Sequence, residues 1–218
     1  MRRFPAILTI LFVGGALVLT GCDSTGSNNG GDDESLTTTQ FEDLPADPTT
    51  TGGGPGSGTG QYTFFSLRDN SVVLRYDDTQ SRAADSNSTK WDIAVQATTI
   101  LVNGGASGPG SGQAYVAETP FQEVTEVDTD RLAADSPGDL AIPTGSGNGW
   151  YNYSRQTNVV SPLPGRTLVV QTADGDAYAK IRVLSYYEGN PDDPAESDAE
   201  SRYYTFEYVI QDDGTSFE

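Results

Sequence analysis

The chain of 218 residues has no histidine, one cysteine and one methionine. Without histidine it lacks the commonest general base, the Ser-His-Asp and Cys-His arrangements, and the usual zinc ligands. A single cysteine, Cys22, allows no intrachain disulfide, so packing must hold the fold. Lysine is almost missing too, with only Lys90 and Lys180. Twelve basic residues face 31 acidic ones, a net charge of -19. Such a chain offers no basic face for phosphates, which excludes nucleic acid as a partner. No Gly-x-Ser-x-Gly elbow, Walker loop or EF-hand loop occurs, and Ser86 and Ser88 do not stand at Ser-x-x-Lys spacing from Lys90. A carboxylate pair would suffice to hydrolyse a sugar bond, but among 31 acids some pair always looks suitable. These absences point to a protein that is not an enzyme.

The acidity itself says more about habitat than about ligand. At ~1 M salt the screening length falls to about 3 Å and self-repulsion largely vanishes, which is the regime of a salt-loving organism. The doublets Asp77-Asp78, Asp192-Asp193 and Asp212-Asp213 lack the further oxygen ligands that calcium needs at regular spacing. They read as solvated charge.

What is present begins at the N-terminus. Met1-Arg2-Arg3 is a short basic start, Ile7 to Leu19 is apolar, and Leu19-Thr20-Gly21-Cys22 has the form of a lipobox. The apolar run is about a dozen residues, short of the ~20 that cross a bilayer core. Residues 1–21 are therefore expected to be a lipoprotein signal peptide. Cys22 is then the lipidation site, and several acyl chains at ~0.8 kcal/mol per buried CH₂ make a lasting anchor. The expected location is the outer membrane, with the cell surface as the further possibility. Residues 22–60 are Gly, Ser, Thr, Asp and Pro with few apolar side chains, and Thr51 to Gly60 reads TGGGPGSGTG. This composition predicts a disordered tether reaching roughly 35 Å. Asp32-Asp33-Glu34 within it is either a surface-sorting signal or solvated linker charge.

Residues 61–218 have the size of one domain. Their apolar runs are short, β-branched or aromatic, and closed by turn residues. Strands are predicted at Tyr62–Leu67, Val72–Tyr76, Trp91–Val95, Thr98–Val102, Ala114–Ala117, Phe121–Val127, Trp150–Tyr153, Thr167–Thr172, Tyr178–Tyr187 and Arg202–Gln211. In the last, Tyr204, Phe206, Tyr208 and Ile210 share one face. Asp174-Gly175 between two long strands signals a tight hairpin turn with positive φ. A single helical turn is expected at Arg131–Asp135. The glycine-rich stretches Asn103–Gly112 and Pro143–Gly149, and the acidic Glu188–Ser201, read as mobile strand connections. With strands on both sides and no lysine near, the glycine-rich pair does not fit phosphate binding. The predicted class is all-β, a single antiparallel domain.

Several strings in this domain together resemble the HmuY family of secreted lipoproteins. They are Trp91-Asp92-Ile93-Ala94-Val95, Ile100-Leu101-Val102-Asn103-Gly104-Gly105, Trp150-Tyr151-Asn152-Tyr153, Thr172-Ala173-Asp174-Gly175 leading into Tyr178-Ala179-Lys180, Ser185-Tyr186-Tyr187 and Tyr204-Thr205-Phe206-Glu207-Tyr208. The resemblance implies an all-β lipoprotein that captures heme, or a related tetrapyrrole, for iron uptake and passes it to a TonB-dependent outer-membrane receptor. It also implies paired histidine or methionine ligands to iron. Neither exists here once Met1 leaves with the signal peptide, and of the familiar heme ligands only tyrosine remains. The heme-contact candidates are Tyr151 and Tyr153 as phenolate donors, Trp150 as a flat surface and Arg155 as a propionate partner.

Three functional readings follow. The first is surface capture of heme, ligated by tyrosine or simply buried. The second is a structural or protein-interaction lipoprotein that keeps the fold without heme. The third, a carbohydrate-binding module, requires Trp150 to face solvent. Packing in the β core is the alternative role for Trp91, Trp150 and most tyrosines.

Overall fold

Alternation of apolar and polar residues drives strands whose apolar faces must meet another layer. A computed structural model describes residues 36–48, 58–80 and 82–218. The expected signal peptide, Cys22 and the acidic Asp32-Asp33-Glu34 lie outside the described residues. No described helix is long and apolar enough to cross a membrane. The strands are β1 (Thr39–Pro45), β2 (Thr63–Ser66), β3 (Ser71–Leu74), β4 (Ile93–Gln96), β5 (Thr99–Val102), β6 (Gln113–Ala117), β7 (Tyr151–Ser154), β8 (Val159–Pro162), β9 (Thr167–Gln171), β10 (Tyr178–Tyr187) and β11 (Ser201–Gln211). One short helix, α1 (Arg82–Ser86), and two single 3-10 turns complete the described elements. The fold is all-β, as the sequence predicts.

A five-stranded sheet in the order β1-β11-β10-β9-β6 faces a four-stranded sheet in the order β3-β2-β4-β5, with β7 and β8 as a separate hairpin. Every strand pair is antiparallel. Tyr204, Phe206 and Tyr208 of β11 are buried on one face, as the alternation requires. They share the main core with Leu168 and Val170 of β9, Ile181 of β10, and Phe65, Ile93, Val95, Ile100 and Val102 of the second sheet. Phe65 meets Phe206 edge-on, the ring centroids 5.4 Å apart. The outer face of each sheet is covered in part. Tyr115, Val169 and Val209 of the five-stranded sheet pack with Phe121, Val124, Val127 and Phe217. Phe64, Leu74 and Ala94 of the other pack with Trp91.

With no disulfide available, buried side chains pin the connections. Asp135 takes the backbone N–H of Val102 on one oxygen and that of Ala141 on the other. Asn103, fully buried, accepts from Gly110 N–H and donates to the carbonyls of Ser88 and Trp91. The glycine-rich loop after β5 is thus wrapped onto Asn103 rather than hanging free. A Cβ on Gly108 would stand 2.1 Å from Asn103 Oδ1 and 2.8 Å from the Trp91 ring, so glycine is required there.

Four expectations change. Part of the predicted tether is folded, since β1 pairs with β11 and Leu44, Ala46 and Asp47 have no exposed surface. Only Phe41 and Leu44 of its seven residues are strongly apolar, and Pro45 is tolerable only because the strand lies at an edge. The domain therefore begins before residue 61. Phe121–Val127 is not a strand of either sheet; Phe121–Glu123 forms a 3-10 turn after Pro120. Phe121, Val124 and Val127, three residues apart, instead fold down onto the sheet below. The Asp174-Gly175 hairpin exists, but its loop is longer than two residues. Thr172 N–H donates to Ala177 O, and Gly175, at φ 84°, donates to Thr172 O. The turn expected at Arg131–Asp135 lies at Thr129–Arg131.

Candidate functional site

The β7–β8 hairpin carries the residues that the sequence singles out. Trp150 precedes β7 and is 2 % exposed, its indole N–H donating to Thr98 O at 3.0 Å. Its ring lies 5.0 Å from both Tyr151 and Tyr204 and 5.8 Å from Tyr186. Tyr151 is buried as well and accepts a hydrogen bond from the Thr98 hydroxyl. The two form part of a packed aromatic cluster, so Trp150 offers no open flat surface, and the carbohydrate reading loses its requirement. Tyr153 is half-buried and donates to Asn158 Oδ1 at 2.9 Å; Arg155 is exposed. The structure thus divides the four candidates, two in the core and two at the surface.

Other tyrosines are equally committed. Tyr204 donates its hydroxyl to Ala97 O and Tyr208 to Leu67 O. Burial pushes the Tyr186 and Tyr204 phenols well above their ordinary value. Burial, with the Asp92 charge nearby, pushes Tyr208 up to about 12. Phenolate formation is disfavoured at all three positions. No group of three or more metal-binding side chains occurs among the described residues.

A groove of about 500 Å³ lies on the outer face of the five-stranded sheet. Leu36, Phe121, Lys180, Glu207, Val209 and Phe217 are among the residues lining it. Alternation along β10 places Ala179, Ile181 and Val183 in the main core and sends Lys180 to the opposite side. Lys180 is only 6 % exposed, and its ammonium donates to Val124 O at 2.8 Å. It also lies 5.0 Å from the Phe121 ring centroid and 5.2 Å from that of Phe217. Burial lowers its pKa, while the Glu218 charge opposes that shift. Two residues along β10, Arg182 pairs with Glu207 at 2.6 Å, and its guanidinium lies 5.6 Å from the Phe121 centroid.

This groove is not legible in the sequence, where Lys180 stands out only as one of two lysines. The available signal was a lysine, one of two in the chain, inside a long apolar strand. The covering residues were not available, because Phe121 and Phe217 arrive from segments far apart in sequence. No protein-family model matches the chain, and no curated protein is significantly similar to it.

Proposed function

We propose that this protein is an exported, lipid-anchored binding module of the cell envelope that uses its β-sandwich to hold a partner and performs no chemistry. The lipobox at Cys22 supports the anchor, and the order of HmuY-like strings supports kinship with surface lipoproteins. Of the two versions of this role, the placement of Trp150 favours the one in which the fold serves interaction without heme. Its indole is enclosed by Tyr151, Tyr186 and Tyr204, which fill the volume a porphyrin would need against it.

The heme version, with delivery to a TonB-dependent receptor, would have to run through Tyr153 and Arg155 on the hairpin surface. Titration of the full chain with hemin in high salt separates the versions. A spectrum equal to that of free hemin is expected. A shifted Soret band saturating at one equivalent, and lost in Tyr153→Phe, would restore heme capture.

A further inference from the structure

An ammonium removed from water is costly unless partners replace its hydration. Lys180 has three N–H donors, one of which goes to Val124 O, and two aromatic faces compensate the charge in part. It forms no ion pair among the described residues, although the chain is strongly acidic. Arg182 has a matching deficit. Its Nη2 is paired with Glu207, but its Nε is buried and has no hydrogen-bond partner among the described residues. Both cations therefore approach the same Phe121 ring, and of the two it is Lys180 that lines the groove of about 500 Å³ there. That volume suits a small organic molecule.

We propose that this groove binds a small organic acid with an apolar body. Lys180 Nζ donates to its carboxylate, the Arg182 charge against Phe121 adds attraction, and Phe121, Phe217, Val209 and Leu36 cover the body. Glu207 lines the same groove and sets the charge limit. A monoanion meets its repulsion once, whereas a dianion such as phosphate meets it twice, so a monocarboxylate is the favoured class. The proposal rests on the binding-module reading and names its ligand. It does not involve the β7–β8 hairpin.

Phenylacetate serves as the probe and phenylacetamide as its uncharged control, both titrated into the full chain and followed by NMR. Saturable one-to-one binding of phenylacetate alone is expected. Lys180→Met should weaken it by about tenfold, the loss of one charge-assisted contact. Arg182→Gln should weaken it by about threefold, and Glu207→Gln should tighten it by a similar factor because a repelling charge is removed. Should Lys180→Met fail to fold, the Arg182 and Glu207 variants decide the matter. Equal binding of the amide, no saturation with phenylacetate, or indifference to both Arg182→Gln and Glu207→Gln would overturn the proposal. Acylation at Cys22 together with absent phenylacetate binding would remove the groove's role and leave the anchored module intact.

Discussion

Asp92 and Ala173, 81 residues apart in the chain, are joined by a 2.9 Å hydrogen bond from the Ala173 backbone N–H to Asp92 Oδ1. The other carboxylate oxygen accepts from Leu67 N–H at 2.8 Å. One buried side chain thus fastens the β9–β10 turn of one sheet to the β2–β3 turn and the start of β4 in the other. Asp92→Asn keeps the size but turns an NH₂ toward one of these N–H donors. A loss of about 1–3 kcal/mol is expected, the cost of a buried unsatisfied donor, measurable by urea denaturation at neutral pH. An unchanged midpoint would mean that the two turns are held elsewhere.

The buried carboxylates also predict opposite pH dependences. At Asp47 burial pushes the pKa up, but the N–H groups of Thr59 and Gly60 and the Thr59 hydroxyl outweigh it and leave it below the ordinary 3.8. Its stabilisation is present above 3.8 and lost as pH falls through the folded value. The deficit of Asp47→Asn should therefore shrink in acid. At Asp92 burial outweighs the hydrogen bonds from Ala173 and Leu67, so its pKa lies above 3.8. Ionisation there costs stability, and the wild type recovers it as pH falls through the raised value. The deficit of Asp92→Asn should widen in acid. Urea midpoints measured from neutral pH down to about pH 2 test the contrast, which fails if both deficits move the same way.

Starting the chain at residue 61 should damage the fold. Such a fragment lacks β1, and with it Leu44, fully buried, and Phe41, whose ring lies 4.6 Å from Phe65. Loss of one buried leucine or phenylalanine costs about 2–5 kcal/mol, so the fragment should melt well below a chain starting at residue 36. Equal melting temperatures would make β1 dispensable.

Both tryptophans should resist collisional quenching. Trp91 and Trp150 are 0 % and 2 % exposed, so iodide should barely reduce native fluorescence and should quench strongly after unfolding. A solvent-accessible native component would reopen the carbohydrate reading. Trp150→Ala should cost about 3–5 kcal/mol, as for other large core rings.

Salt should stabilise the protein. With a net charge of -19, moving from ~0.1 M to ~1 M NaCl shortens the screening length from about 10 Å to about 3 Å. A gain of about 1–2 kcal/mol, or roughly 3–6 °C in Tm for a domain of this size, is expected by calorimetry. A salt-independent Tm would separate the acidity from stability altogether.

A strand with its own alternation is legible in the sequence. Residues 202–211 alternate strongly enough to fix which face is buried, and Asp174-Gly175 marks the reversal between β9 and β10. The edge strand β1 was not legible, because an edge strand needs little apolar content of its own. Its two apolar side chains count only once β11 stands beside them. Val159–Pro162 escaped for a similar reason, since β8 is a four-residue strand that among the described residues pairs only with β7. Phe121–Val127 misled because its residues are apolar enough for a strand, while their three-residue spacing suits a segment laid across a sheet.

Sequence alone determined the all-β class, the missing histidine chemistry and the excess of acidic residues, because each is a property of composition or of neighbouring residues. Tertiary structure decided which aromatic rings are consumed as core and which groups share a groove. Trp150, Tyr186 and Tyr204 are neighbours only after the hairpin folds onto β10 and β11. Lys180 meets Phe121 and Phe217 only when segments from both sides of it in the chain cover one sheet face. Long-range burial, which depends on contacts across the whole chain, assigned those roles.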